Sequence, residues 1–148
     1  MKKKLVIINN EKCIKINNQV YCQNVEIKSL SEALNLNFNT KLILRKSKIR
    51  PVHKIKTANI SLSSNIIGFI FHILKEFKDK DSRYLIISIT PYTFMAYLFL
   101  ILKRKNIFLY LRSDGLEEYK IILGKKFVWI YRFMLFLMSR KSTIFCVN

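Results

Sequence analysis

The chain has 148 residues, a length that suits one domain, and 51% of them are apolar, which is ample material for a core. Lys and Arg number 27 against nine Asp and Glu, giving a formal net charge of +18. Such a surface attracts polyanions, chiefly nucleic acid or the anionic inner leaflet of a membrane. The codon bias of an AT-rich genome, which favours Lys, is an alternative source of part of this charge.

The cysteines and histidines indicate neither a disulfide framework nor a metal site. The three cysteines include no C-x-x-C pair. His53 and His72 have no acidic or cysteine neighbours at ligand spacing, so we expect no metal and no cofactor. At the amino terminus, the apolar run at residues 5–8 is too short for the hydrophobic region of a signal peptide. We therefore expect a cytoplasmic protein.

The first third of the chain predicts a strand, a hairpin and a helix. Residues 5–8 form a short β-branched run, typical of a buried strand. Residues 13–16 and 19–22 flank Asn17-Asn18, a dipeptide suited to a two-residue hairpin loop, in which Cys13 would lie opposite Cys22. A helix follows at residues 25–36, with Ser29 or Ser31 as possible caps.

The rest of the chain alternates between apolar strands and longer helical segments. Thr90 and Pro91 begin one of the helices, with Thr90 as its cap and Pro91 at the first helical position. The predicted elements are a strand at 41–44, a basic loop at 45–56 containing Pro51, a strand at 59–62, a helix at 65–77, a strand at 84–89, a helix reaching about Leu102, a strand at 107–111, a loop at 112–115, a helix at 117–139 broken near Gly124, and a strand at 143–147.

This alternation predicts an α/β fold. Strands that alternate with helices of 10–15 residues indicate βαβ units and a parallel sheet. Continuous apolar strands such as residues 85–89 agree, because parallel strands are covered on both faces. We predict a single Rossmann-like domain over residues 1–148, with a mostly parallel sheet flanked by helices and an N-terminal β-hairpin. The sequence has three glycines and neither a G-x-G-x-x-G motif nor a P-loop.

An integral membrane protein is the alternative architecture. Residues 84–102 carry no charge over nineteen positions and residues 58–74 none over seventeen, close to the roughly 20 residues that a span requires. However, Ser88, Thr90 and Pro91 stand where a strand-to-helix junction would place them. The apolar stretch at 127–138 carries Arg132 at its centre, which is costly in hydrocarbon.

The polar residues after the strand at 107–111 are the candidate site. In open α/β sheets, ligands bind beyond the carboxyl ends of the strands. The candidates are Arg112, Ser113, Asp114, Gly115 and, in the first turn of the next helix, Glu118. A structural interpretation has Asp114 capping that helix and Arg112 pairing with a glutamate, and the spacing alone does not decide between the two.

Four segments resemble the amino-terminal domain of GT-B fold glycosyltransferases, of the family 4 type that builds bacterial surface polysaccharides. They are KKLVII at 3–8, KLILRK at 41–46, YLIISITP at 84–91 and LRSDGLEEY at 111–119, the last being the most specific. The resemblance covers essentially the whole chain. It implies that this domain binds the acceptor, while a carboxyl-terminal domain holds the nucleotide-sugar.

The resemblance also implies roles for the candidate residues. Asp114 matches a cleft-facing polar position, where many members have His, and would orient or deprotonate the acceptor hydroxyl. Arg112 would contact acceptor phosphate or fix Asp114, and Ser113 would hydrogen-bond sugar hydroxyls. Gly115 and Glu118 complete the implied acceptor-binding set.

Two departures from the family pattern bear on activity. Asn9-Asn10 stands in place of the glycine-rich loop that many relatives carry after the first strand. The E-x7-E donor-binding motif and the basic residue that contacts the diphosphate have no counterpart within residues 1–148. We therefore expect a chain truncated at the carboxyl terminus and inactive alone, whose nucleotide-sugar donor binds a missing domain.

The expected partners are a lipid-linked or saccharide acceptor and an anionic membrane surface, with the protein peripheral at the inner face. A small basic nucleic-acid-binding module is the alternative from another class. Its charge is suitable, but the sequence has no RRM, KH or helix-turn-helix signature, and its aromatics fall in apolar runs. We expect no nucleic acid partner.

Overall fold

The computed structural model of the chain describes residues 2–48, 50–57, 59–112 and 115–146. These residues form one mixed sheet with helices on both faces. Its elements in chain order are β1 (Lys4–Ile16), β2 (Gln19–Cys22), α1 (Val25–Asn37), β3 (Asn39–Lys46), β4 (His53–Ile55), β5 (Ile60–Ser63), α2 (Ile66–Lys75), β6 (Arg83–Ile87), α3 (Pro91–Leu102), β7 (Asn106–Leu111), α4 (Gly115–Leu123), α5 (Val128–Ser139) and β8 (Thr143–Cys146).

The sheet is mostly parallel. Six strands pair in parallel in the order β5-β3-β1-β6-β7-β8, while β2 and β4 add antiparallel pairs beside the second half of β1. Counted along the chain, the parallel strands have the order 3-2-1-4-5-6, which is compatible with a Rossmann-like arrangement. The order in which strands are added reverses between β1 and β6. The predicted α/β class with a mostly parallel sheet is confirmed.

The first strand is longer than the sequence pattern indicated. Its first half pairs in parallel with β3 and β6, and its last four residues pair with β2. Asn17 and Asn18 connect β1 to β2 with φ values of 45° and 61°, and the register sets Cys13 opposite Cys22. The two segments predicted as separate strands are therefore one strand, with a register irregularity against β3 between Ile8 and Lys12.

Alternate residues of the central strands enter two apolar cores, because successive strand side chains point to opposite faces. On one face, Ile8 and Ile86 pack with buried residues of α2, α3 and α5. On the other face, Ile7 and Ile87 pack with Ile27 of α1. Within the described ranges, α1 is the one helix that contributes to this second core.

Two predicted features of the first half are corrected. The cap of α1 is Asn24, whose side chain accepts hydrogen bonds from the backbone of Glu26 and Ile27, whereas Ser29 and Ser31 lie inside the helix. The basic segment 45–56 is not a loop throughout, because it contains β4, which pairs with β2.

Three boundaries in the second half also differ. The strand predicted at 84–89 ends at Ile87, because Ser88 adopts φ 63°. Gly115 begins α4 and does not lie in a loop. The long helix predicted at 117–139 is divided near Gly124 into α4, a short 3₁₀ turn and α5. The capped start of α3 at Thr90 and Pro91 is confirmed.

The charge-free stretches that suggested membrane spans each divide between two elements. Residues 84–102 contain most of β6 and all of α3, and residues 59–74 contain β5 and most of α2. No helix in the described part of the chain has the length and apolar character needed to cross a membrane.

Candidate functional site

A cleft of about 320 Å³ lies at the carboxyl ends of β6 and β7, where β1 leaves its pairing with β6. This is the point at which the strand order reverses, and open α/β sheets bind their ligands at such points. Its lining residues are Asn9, Asn10, Glu11, Ser88, Ile89, Thr90, Pro91, Arg112, Glu118, Tyr119 and Ile122.

Asn9 joins the two strands that border the reversal point. It is buried, and its Nδ2 donates to the carbonyl of Ile87 at 2.9 Å, while its Oδ1 accepts from the backbone N–H of Glu11 at 2.5 Å. The carboxamide of Asn9 therefore hydrogen-bonds to the backbone of both β1 and β6, at the point where the pairing of these two strands ends. Next to it, Asn10 accepts a hydrogen bond from Arg45 at 3.2 Å. These contacts give the cleft a fixed polar wall.

Ser88 forms the turn between β6 and α3. Its φ of 63° is uncommon for a residue with a side chain and costs about 1–3 kcal/mol. The turn is held by a hydrogen bond from the Ser88 N–H to Tyr110 and by one from the Thr93 hydroxyl to the Ser88 carbonyl, both 2.9 Å long. The Ser88 hydroxyl is buried and has no hydrogen-bond partner among the described residues. A strained turn with a spare hydroxyl thus lines the cleft.

Arg112 follows β7 and also lines the cleft. Its Nε is 3.5 Å from Glu26 Oε2, and their side chains are 29% and 39% exposed. A pair this exposed contributes roughly 0–1 kcal/mol, so the guanidinium can still bind an anionic ligand. The phenol of Tyr110 donates to the other oxygen of Glu26 at 3.2 Å. Burial raises the pKa of Tyr110, and the contact with Glu26 raises it further.

The structure brings together three of the five predicted site residues. Arg112, directly after β7, and Glu118 of α4 line the same cleft. Gly115 lies beside them at the start of α4, where an added Cβ would overlap the ring of Tyr131. Ser113 and Asp114 lie outside the described residues. The glutamate paired with Arg112 is Glu26, from α1 on the other face of the sheet.

Three further residues line the cleft without having been predicted as site residues: Asn9, Ser88 and Tyr119. Asn9 was noted only as replacing a glycine-rich loop, and Ser88 only as part of a strand-to-helix junction. Their proximity to Arg112 depends on the strand order, which the sequence pattern does not specify. For Asn9 and Ser88, the available signal was that each directly follows an apolar run.

The described residues contain no group of three His, Cys, Asp or Glu side chains placed to hold a metal ion. The cleft offers other chemical groups, since its lining includes a guanidinium, carboxylates, amides and hydroxyls. Comparisons with protein-family models, with curated proteins and with solved structures each find no match for this chain.

Proposed function

We propose that this chain is the acceptor-side half of a glycosyltransferase that moves sugar from a nucleotide-sugar to a lipid-linked or oligosaccharide acceptor in surface polysaccharide synthesis. The observation that carries the proposal is the cleft at the strand reversal, lined by Arg112 and Glu118. The resemblance of residues 111–119 to family 4 transferases supports it. In this proposal the fold is the Rossmann-like amino-terminal half of a GT-B enzyme, with an N-terminal hairpin.

Each cleft group has a task in acceptor binding. Arg112 binds an anionic group of the acceptor, such as a phosphate, with charge-assisted hydrogen bonds. Glu118 accepts hydrogen bonds from sugar hydroxyls, and the Ser88 hydroxyl supplies a further donor or acceptor. Ser113 hydrogen-bonds sugar hydroxyls as well. These contacts fix the orientation of the sugar ring.

Asp114 is the proposed base. It follows Arg112 by two positions in the sequence, within the segment that carries the resemblance. As the acceptor oxygen attacks the anomeric carbon of the donor, its proton passes to the Asp114 carboxylate, and the bond to the nucleotide diphosphate breaks.

The proposal assigns donor binding to a second domain. In such a transfer, the largest stabilisation acts on the charge that develops on the leaving diphosphate. By the resemblance, the groups that stabilise this charge belong to the carboxyl-terminal domain of the whole enzyme. We therefore expect residues 1–148 to bind an acceptor without turning over a nucleotide-sugar.

The proposal is tested by titrating isotope-labelled protein with sugar 1-phosphates and free disaccharides and following amide chemical shifts. We expect the shifts to concentrate at Asn9, Ser88, Arg112 and Glu118. Arg112→Gln and Glu118→Gln should each weaken binding, whereas Arg132→Gln, an exposed charge on α5, should not. Shifts confined to other surfaces, or equal effects of all three variants, contradict the assignment.

A further inference from the structure

A second and larger cavity lies between the β2–β4 pair and the edge strand β5. Its volume is about 750 Å³, and it shares no lining residue with the cleft at the strand reversal. Its charged lining consists of Lys15 on β1, Lys46 at the end of β3, Lys54 on β4 and Lys56 directly after β4. His72 of α2 completes the basic wall. We call this the lysine cavity.

The positive charges of the lysine cavity are not compensated from within the described structure. The lining contains four lysines and neither Asp nor Glu. Across the described ranges, none of the four ammonium groups forms an ion pair. The neighbouring carboxylate of Glu32 accepts a hydrogen bond from the backbone N–H of Lys56 at 3.0 Å. A concave wall of one charge sign focuses the potential and raises the local concentration of counter-ions.

Thr57 provides an independent indication of a ligand. It lines the lysine cavity and is only 5% exposed, yet its Oγ1 has no hydrogen-bond partner within the part of the chain that the structure describes. Buried polar side-chain atoms are nearly always hydrogen-bonded. An unpaired hydroxyl on a residue that lines the same cavity as four lysines fits a ligand that accepts hydrogen bonds and carries negative charge.

We propose that the lysine cavity binds the phosphate groups of a diphosphate or polyphosphate anion. Ammonium groups act on phosphate as point charges from several directions, and four of them suit a ligand with several charges close together. Phosphate oxygens are also strong acceptors for the Thr57 hydroxyl. The ligand is either a soluble phosphate compound or the headgroup of a phospholipid. This site goes beyond the proposed transferase function and does not depend on it.

The test uses the full chain and inorganic pyrophosphate, with binding followed by calorimetry at constant ionic strength. The cavity variant combines Lys46→Gln, Lys54→Gln and Lys56→Gln. The control combines Lys3→Gln, Lys80→Gln and Lys103→Gln, which remove the same charge from exposed positions outside the cavity. We expect the cavity variant to bind at least about tenfold more weakly and the control to stay within about twofold.

A second variant separates ligand binding from net charge. Thr57→Val keeps the shape of the side chain and all charges but removes the unpaired hydroxyl. We expect the protein to remain folded, with an unchanged or higher Tm, and pyrophosphate affinity to fall about threefold or more. Arg132→Gln, which removes an exposed charge from α5 outside both sites, should leave pyrophosphate affinity unchanged. The cleft assignment is tested separately with Arg112→Gln and sugar ligands, so its failure is distinguishable from a failure of this one.

Vesicles of phosphatidylcholine with or without cardiolipin, whose headgroup carries two phosphates, identify the source of the phosphate. Binding of pyrophosphate without an effect of the cavity variant on vesicle binding indicates a soluble ligand. Binding of cardiolipin vesicles that is lost in the cavity variant and kept in the control indicates a lipid headgroup. The proposal is overturned if neither probe binds, if both triple variants weaken binding equally, or if only RNA depends on these lysines.

Discussion

Cys13 and Cys22 are opposite residues of β1 and β2, and both are buried free thiols, whereas Cys146 on β8 is exposed. Burial raises the pKa of both buried thiols, so neither reacts readily as a thiolate. With iodoacetamide at pH 8, we expect rapid alkylation of Cys146 alone. The other two should react only in urea, which mass spectrometry resolves site by site. Rapid alkylation of Cys13 in the native protein contradicts this packing.

The same thiols make stability depend on pH. A thiol whose pKa is raised in the folded state keeps its proton there, while in the unfolded chain it ionises near its ordinary pKa of 9.0. The folded state then binds more protons, so the free energy of unfolding falls as pH rises above about 9. Burial also raises the pKa of Tyr84 and Tyr97, which extends the decline above pH 10.

Urea unfolding at a series of pH values checks this expectation. The wild type should be equally stable between pH 7 and 8, where these groups are protonated in both states, and should lose stability from pH 9 upwards. Cys13→Ala should flatten the first part of this decline, although it lowers stability overall because it opens a small cavity. Cys146→Ala, which changes an exposed thiol, should follow the wild type.

At the scale of residues, the sequence predicted part of the cleft. Arg112 was predicted because polar residues that directly follow an apolar strand lie at the sheet edge where ligands bind, and Glu118 because it lies in the first turn of the next helix and in the segment that carries the resemblance. Asn9 and Ser88 were not, because their part in the cleft depends on β6 pairing with β1 across more than seventy residues. The backbone of Ser88 is also set by its contacts with Tyr110 and Thr93, which no local pattern specifies.

At the scale of elements, the turn between β6 and α3 connects fold and site. Thr93 is fully buried, and its hydroxyl donates to the Ser88 carbonyl and accepts from the Thr90 N–H at 2.8 Å. Thr93→Val preserves the shape but leaves these backbone groups without that partner. We expect a loss of about 1–3 kcal/mol in the free energy of unfolding.

Thr143→Val is the matched control for this change, since Thr143 is exposed on β8. It should alter the free energy of unfolding by no more than about 0.5 kcal/mol. Both variants are compared by urea unfolding, and amide shifts at Ser88 report on the turn itself. If Thr93→Val is as stable as the control and leaves Ser88 unmoved, the side chain does not hold the turn.

Elements with strong local signals were predicted from the sequence, and those that depend on distant partners were not. The helix α3 was predicted with its cap because Thr90 and Pro91 specify the start locally. The strand β4 was missed because its three residues include Lys54 and follow a basic run, and it forms by pairing with β2. The continuity of β1 was missed because Asn9 and Asn10 interrupt the apolar pattern, while Asn9 is buried by its contact with β6.

At the scale of the whole molecule, the alternation of strands and helices was sufficient to predict the α/β class but not the complete set of strand pairings in the sheet. The pattern predicted parallel strands covered by helices, and the described structure has them. It could not predict that β4 pairs with β2, or that these strands and β5 enclose the lysine cavity. That cavity brings together lysines from three parts of the chain, a proximity created by the topology alone.

The surface of α5 supports the proposed peripheral attachment to an anionic membrane. Tyr131, Met134 and Met138 are buried on one side of the helix. The opposite side exposes Trp129, Phe133 and Phe136, which are 65%, 52% and 57% exposed. Arg132 lies between them, and Arg140 lies over the ring of Phe136 at 5.0 Å. Exposed Trp and Phe side chains on a helix that also carries arginines suit attachment to the membrane interface, where the rings enter the headgroup boundary and the basic groups meet anionic lipids.

We expect the chain to sediment with vesicles of equimolar phosphatidylcholine and phosphatidylglycerol, and to be released by high salt because its net charge of +18 supplies the attraction. Replacing Trp129, Phe133 and Phe136 by Ser should lower the partition coefficient at least about tenfold even at low salt, since the rings no longer enter the interface.

The control, Val25→Ser, Leu36→Ser and Ile67→Ser, removes exposed apolar side chains from α1 and α2 and should bind like the wild type. Equal losses in both variants would mean that α5 is not the attached face, and retention of the wild type through high-salt washing would mean that charge is not the main attraction.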